Sequence, residues 1–466
     1  MENWMTQKSE RWYYYLYFSG QSVINSIVNG FLSTYLPMKG ISTTALAPVL
    51  FVVKAWDAVN DVIFGGIFDK VKFKNGKCIP WLKISLPLLP LSTVLIFAMP
   101  NFSIPMKLFW CAVTYILWDT GFTLSDVPAY GLVTTMTNNV QERTAIMSYA
   151  RIFIAGGGLV VVGIGTLLVS QQVGMSYTAI ALIFSAIALI AMLPGCFGIK
   201  ERNYSAAEKE ETFTFREMFR YLRQNKYLLI YFGSTLIGGC MNTAVGLGLF
   251  VSYYLFGNEL FNLVLGAVQV IPGAILAFII PQMVKKIDKF KMFYWGLLLG
   301  TVFGLIMHFV GYQNLMLFIV LSIIRIIPLQ FPAFLMFMFT PDCAEYGKYK
   351  TGIDARGISF AIQTFTTKFT SSISISLGLA LIGIFGFVSY EADSFAELSA
   401  MGATQTPEAL RGLWATYLLI PTIGAIIQLI LLLFYKLNDK DVQIMSDCNA
   451  GLITREEAET SLSRKY

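Results

Sequence analysis

Long apolar runs alternate with short polar breaks along the whole chain. They fall at 14–36, 44–68, 80–99, 106–135, 145–169, 176–198, 227–256, 260–284, 292–311, 315–340, 357–389 and 412–436. A bilayer core takes about 20 apolar residues per helix, and each run is long enough. The pattern predicts an all-α membrane protein with twelve transmembrane helices. One break is unlike the rest: residues 199–226 are long and charged. The expected organisation is a six-helix bundle over 1–198, a cytoplasmic linker over 199–226, a second six-helix bundle over 227–436, and a polar, partly helical cytoplasmic tail over 437–466.

Within the linker, "TFREMFRYL" holds Thr214 and Glu217 at capping-box spacing. Phe215, Met218, Phe219 and Leu222 follow at i, i+3, i+4 and i+7. This predicts a helix lying along the inner membrane surface. The loops carry the orientation signal. "DKVKFKNGK", the 199–226 segment, "KKIDKFK" and "EYGKYKTGIDAR" are rich in Lys and Arg. The opposite loops "SQQVGMS", "GNELFN" and "GYQN" have none, and Lys39, Lys107 and Arg411 stand alone there. By the positive-inside rule both termini are expected in the cytoplasm, with the chain multi-pass in the cell inner membrane.

Composition narrows the function classes. Of 466 residues 56% are hydrophobic and only 13% charged, about half the usual charged share of soluble domains. The net charge of +6 reports topology, and no segment offers the basic face with accessible aromatics that nucleic acid needs. The six cysteines form no CxxC pair, and the single histidine is His308, so a His/Cys metal site is not expected. The first dozen residues are polar, and the apolar run after them lacks a small-residue cleavage site. No cleavable signal peptide is expected.

Ionisable side chains at membrane depth are costly and mark pathways or paired sites. Here they are Lys54, Asp57 and Asp61 in the second run, Asp119 and Asp126 in the fourth, Arg151 in the fifth, Arg325 in the tenth and Lys368 in the eleventh. Residues three and four apart share a helix face. Asp57, Asn60 and Asp61 therefore form one stripe, and Asp119, Thr123 and Asp126 another. If the stripes face each other, hard oxygen ligands converge, which suits Na⁺ or a proton shared between carboxylates. Neutralisation by Lys54, Arg151 and Lys368 purely for assembly explains two repelling acids one turn apart poorly. Gln21, Asn25 and Asn29 add an amide stripe in the first run, and Gln363, Thr364 and Lys368 a polar stretch in the eleventh. Interhelical hydrogen bonding is the alternative for single amides. Together with Trp56 and Tyr130, the collection suits a polyhydroxylated ligand, whose hydroxyls both donate and accept and whose C–H faces stack on rings.

Six plus six runs with a central charged loop is the plan of the major facilitator superfamily. "GGIFDK", with Gly65, Asp69 and Lys70, resembles its G-x-x-x-D-[RK] signature. Four motifs go further: "WDAVND" continuing to Gly76, Lys77, Pro80 and Trp81; "TLSDVPAYGLV"; "ERTAIMSYARIF"; and "AEYGKYKTGIDARGISFAIQTFTTKF". Collinear from about residue 12 to 436, they resemble the glycoside–pentoside–hexuronide:cation symporters. The resemblance implies a sodium-type coupling site at Asp57, Asn60, Asp61 and Thr123. It also implies sugar contacts by Asp126, Tyr130, Arg151, Gln363, Thr364 and Lys368. Three departures stand out. Gly20-Gln21 replaces a Lys-Asp pair used for sugar recognition by the family's melibiose-transporting members. Tyr130 replaces a Trp, and Asp119 replaces a small residue. Galactoside specificity therefore does not carry over. Gln21 is expected to face the sugar and tune specificity.

The expected function is symport of a sugar or glycoside with a monovalent cation, Na⁺ first and H⁺ or Li⁺ otherwise, by alternating access. Proton-coupled transport of a hexuronide, glucuronide or pentoside is the alternative. A transporter-fold sensor or an intramembrane enzyme is the competing class, but acids one turn apart on one helix cannot clamp a scissile bond from two sides. No cofactor is expected, and the partners are the sugar, the cation and the lipid bilayer, with the chain a monomer. Charge pairs among Asp69, Lys70, Arg143, Glu345, Asp354 and Arg356 are expected to gate the cytoplasmic face.

Overall fold

The computed structural model describes residues 4–71, 73, 76–202 and 215–466. Each predicted run is largely helical, but the seventh, expected over 227–256, is interrupted at 241–247 before resuming as Gly248–Phe250 and a π turn at Val251–Leu255. In the first set these are α1 (Lys8–Tyr35), α2 (Thr43–Lys70), α3 (Ile79–Phe97), α4 (Ile104–Met136), α5 (Val140–Val160) and α6 (Tyr177–Gly198). A π-helical turn, Val161–Gly165, carries α5 on into Thr166–Val169. The second set comprises Lys226–Cys240, Phe261–Val284, Lys289–Val310, Leu315–Leu335, Arg356–Ile384 and Pro407–Leu432. The last of these passes through a further π turn at Ala415–Leu419. Eight helices among the described residues are long and apolar enough to cross a membrane. The helices α1, α2 and α4 are equally long but carry the polar stripes. The protein is an all-α, multi-spanning membrane protein.

The chain divides into two compact units. Unit 1 contains residues up to Thr212 with Gly246–Leu263 and Leu379–Leu410; unit 2 contains Phe213–Val245, Val264–Gly378 and Arg411–Tyr466.

In unit 1, α1 lies against both α5 and α6, and small residues permit it. A Cβ on Gly157 would sit 2.6 Å from the Ser19 carbonyl oxygen, and one on Gly20 would sit 2.7 Å from that of Ala188. Such close approach is how membrane helices gain packing energy where lipid removes the hydrophobic drive. Ser22 Oγ seals the α1–α5 contact by donating to the Ile154 carbonyl at 2.6 Å. At one end of the unit, Glu201 receives the Lys77, Cys78 and Ile79 amides at 3.0, 3.0 and 2.8 Å. It thereby satisfies the orphan N–H groups that open α3. Gly76 has φ +129, and a Cβ there would strike Glu201, so the motif glycine is required by this cap.

At the opposite end of unit 1, Lys39 and Lys107 are not alone. Lys107 Nζ lies 2.6 Å from Glu391 Oε1 and donates to the Lys39 carbonyl at 2.9 Å. Lys39 pairs with Asp393, and its backbone bridges Glu391. Gln171 binds Glu259 through its amide N–H and side chain, at 2.7 and 3.0 Å.

Unit 2 is built on an aromatic core of Tyr231, Phe293, Phe339 and Tyr435. The predicted linker helix is present as Phe215–Gln224. Its core face is Met218, Tyr221 and Leu222, while Phe219 is 59% exposed beside Arg223. Phe219 therefore lies off the face that packs on unit 2. Tyr221 and Leu222 turn inward because Asn225, one turn on, is tied to the Cys343 carbonyl at 2.7 Å. The capping pair falls outside the described residues: Thr214 entirely, and Glu217 in its side chain. The tail forms two helices, Asp439–Asn449 and Arg455–Ser461, and its final Tyr466 packs between Tyr227 and Tyr346.

Candidate ion and substrate site

Two polar clusters are strung along α4 in unit 1. The first joins α2 to α4. Asn60 Nδ2 donates to Asp119 Oδ2 at 3.2 Å and to Thr123 Oγ1 at 3.0 Å. All three residues are buried, and Asp57 is half-buried one turn before Asn60. Asn60 thus links the α2 stripe to the α4 stripe. The side chain of Asp61 lies outside the described residues. One turn before Asp119 on the same face, the Tyr115 hydroxyl accepts a hydrogen bond from Lys54 Nζ at 3.2 Å. Lys54 also reaches Asn29 Oδ1 at 3.3 Å, and Asn29 donates to Asn25 Oδ1 at 2.7 Å. Three helices therefore share one hydrogen-bonded path.

The second cluster joins α1 to α4. Gln21 Nε2 lies 3.2 Å from both Ser125 Oγ and Asp126 Oδ1. Tyr17 shares a 2.6 Å hydrogen bond with Ser125 and so fixes that hydroxyl. Gln21 is buried, whereas Asp126 is half-buried. Tyr130 is 43% exposed and leans on Phe18 with ring centroids 4.9 Å apart. Arg151, on α5, is exposed and close enough to Tyr130 to act on it electrostatically. Amide, carboxylate, ring and guanidinium thus lie together, the donors and acceptors a sugar uses.

The unit 2 residues are described separately. Gln363 accepts a 2.5 Å hydrogen bond from Thr340, Thr364 is exposed and Lys368 is half-buried on the same helix. Gly347 belongs to the same motif for a packing reason: a Cβ there would collide with the Tyr221 hydroxyl and Asn225.

Of the charged residues expected to gate, Arg143, Glu345, Asp354 and Arg356 have partners near them in sequence. Arg356 pairs with Glu345 at 2.6 Å and with Asp354 at 3.8 Å, and Lys348 with Asp354 at 3.3 Å. Arg143 donates to the carbonyls of Thr137 and Thr134 at 2.7 and 3.3 Å. The side chains of Asp69 and Lys70 lie outside the described residues.

Reading the sequence missed Tyr115, Tyr17 and Ser125 in unit 1 and Thr340 in unit 2. Tyr115 was within reach, because it extends the 119, 123, 126 stripe by one turn. Ser125 was not, because it lies off that stripe and is found only through Gln21. Among the described residues no three His, Cys, Asp or Glu side chains converge as ligands for a metal ion. The oxygen and amide donors around Asp57 and Thr123 are of the hard type that suits an alkali cation carried as cargo.

Residues 14–439 match the family described as MFS/sugar transport protein. The chain belongs to that family. Its task is transport rather than catalysis. Among its relatives, the isoprimeverose transporter of Lactiplantibacillus pentosus is 26% identical, over 95% of this chain and 91% of that one. The glucuronide carrier protein homolog of Escherichia coli (strain K12) is 26% identical, over 88% of each. In three dimensions the chain is similar to a bacterial homolog of the human lysosomal transporter Spinster. There the TM-score is 0.68 at 11% identity, over 92% of this chain and 97% of that one. This likeness shows the major facilitator fold.

Proposed function

We propose that the protein is a secondary-active symporter that carries a glycoside together with a monovalent cation. Twelve spans in two six-helix halves would alternate access, with both termini in the cytoplasm and one chain as the working unit. One observation carries the reading. The Asn60–Asp119–Thr123 cluster and the Gln21–Asp126 cluster share α4, with Thr123 and Asp126 three residues apart on one face. An ion held at the first and a sugar held at the second would each change the field felt by the other, which is a coupling free energy.

The substrate class we favour is a hexuronide or pentoside glycoside. The names of the relatives, a glucuronide carrier homolog and an isoprimeverose transporter, support it. Arg151 is exposed and makes no ion pair among the described residues, so a uronate carboxylate could pair with it. Asp126 and Gln21 would take the sugar hydroxyls, with Tyr130 stacking on a ring face. Gln363, Thr364 and Lys368 would supply contacts from the second half.

A proton is the coupling ion we place first. Asn60 already donates into the carboxylate cluster and Lys54 already brings a positive charge to it, so an alkali ion has less to neutralise. Sodium is the second reading, favoured by the hard oxygen donors of Asp57, Asp61, Asn60 and Thr123. Everted or right-side-out vesicles containing the protein would be given labelled methyl glucuronide and methyl xyloside. Imposed gradients of H⁺, Na⁺ or Li⁺ should drive uptake by one ion above the others, and Asp57→Cys should abolish it with normal membrane levels. Uptake of neither glycoside under any gradient would overturn the assignment.

A further inference from the structure

Lys54 sits midway along α2, only 7% exposed. An ammonium has three donors and no acceptor. Two of its donors are satisfied, by Asn29 on α1 and Tyr115 on α4, and the Tyr115 ring centroid lies 5.3 Å from the nitrogen. Asp57, one turn further along α2, and Asp119, one turn along α4 from Tyr115, both act on it electrostatically. Asp119 is held in turn by Asn60, which also binds Thr123. One fixed positive charge is therefore covalently tethered among the carboxylates of α2 and α4.

We propose that Lys54 is the built-in cation of this site and decides which mobile cation the site accepts. The inference rests on the reading that the cluster couples ion movement. The tethered ammonium offsets the carboxylates of Asp57 and Asp119 and leaves them with less charge for a bound ion. Unlike a mobile ion, the amino group cannot leave the site. Na⁺ must then compete with an ammonium already in place. In a poorly solvated site a unit charge a few ångströms away alters ion affinity by tenfold or more. The competing account makes Lys54 a strut that ties α1, α2 and α4 together. A strut affects stability and leaves ion affinity alone.

The experiment measures binding of radioactive sodium to the purified full chain in nanodiscs, without sugar, beside its thermal unfolding. Wild type should bind Na⁺ weakly. Lys54→Met and Lys54→Gln should bind it at least about tenfold more tightly. Lys54→Arg should stay near wild type, since the charge remains. Adding Asp119→Asn to Lys54→Met should reverse part of the gain, because one of the two carboxylates the lysine offsets is then gone. The proposal falls if either folded neutral variant binds Na⁺ no more tightly than wild type. It falls also if the double variant keeps the full gain. Failure of glycoside-dependent ion movement in wild-type vesicles would instead sink the transport reading, and the sodium titration would still report on Lys54.

Discussion

Lys107 Nζ lies 2.6 Å from Glu391 Oε1, although 284 residues separate them in the chain. The lysine side chain is 5% exposed and the glutamate 58% exposed. The two ends of the pair are therefore unequal. Glu391→Gln leaves a buried ammonium with neutral acceptors and no counter-charge, and should cost about 1–2 kcal/mol. Lys107→Met leaves a carboxylate that water can solvate, and should cost less than about 1 kcal/mol. Thermal unfolding of both variants checks the order. Faster amide exchange over residues 388–405 should accompany the larger loss.

Substitution at Gly347 tests the packing role of its motif. Gly347→Ala pushes a methyl group into Tyr221 and Asn225, which together hold the Phe215–Gln224 helix on unit 2. Overpacking of this kind costs about 1–3 kcal/mol. Unfolding should shift to lower temperature, while Gly352→Ala, where no atom lies near but φ is +72, should be penalised through the backbone instead. If Gly347→Ala unfolds like wild type, the contact is not tight.

The tail gives a pH dependence with a definite sign. Burial opposes ionisation of Asp441, but hydrogen bonds outweigh it: from the Ser463 hydroxyl, from Tyr466, from the Ser463 amide and from Asn438. Its carboxyl is held below the usual range. A depressed folded value means the stabilisation is complete above the unfolded value, about 3.9, and is lost as pH falls through the folded value. Tail docking should thus be constant from pH 5 to 8 and weaken only below about pH 4. Asp441→Asn should loosen it at neutral pH by about 2 kcal/mol. Limited proteolysis near Arg455 reads this directly; equal cleavage of wild type and variant at pH 7 would refute it.

In the Gln21–Asp126 cluster proposed to hold the sugar, Asp126→Ala removes the acceptor that Gln21 binds and should weaken glycoside binding about a hundredfold. Gln21→Asp replaces the amide that donates to Asp126 with a second carboxylate and should disfavour uronides relative to neutral galactosides. Calorimetry on a panel of neutral and acidic methyl glycosides decides it. An unchanged ranking in Gln21→Asp would remove Gln21 from the pocket.

The chain alone determined the helices and the identity of the membrane-depth acids. Apolar runs of spanning length leave no other way to satisfy the backbone in lipid. Helical periodicity alone put Asp57 with Asn60 and Asp119 with Thr123 on shared faces. Which side chains meet across helices was decided by packing. A membrane helix is apolar nearly all round, so its pattern does not encode how it is rotated against its neighbours. Hence Ser125 is found only through Gln21 and Tyr17. The partners of Lys39 and Lys107 come from hundreds of residues away. Spacing along a chain reports neighbours within a turn or two; only the tertiary structure brings Glu391 to Lys107 and Tyr115 to Lys54.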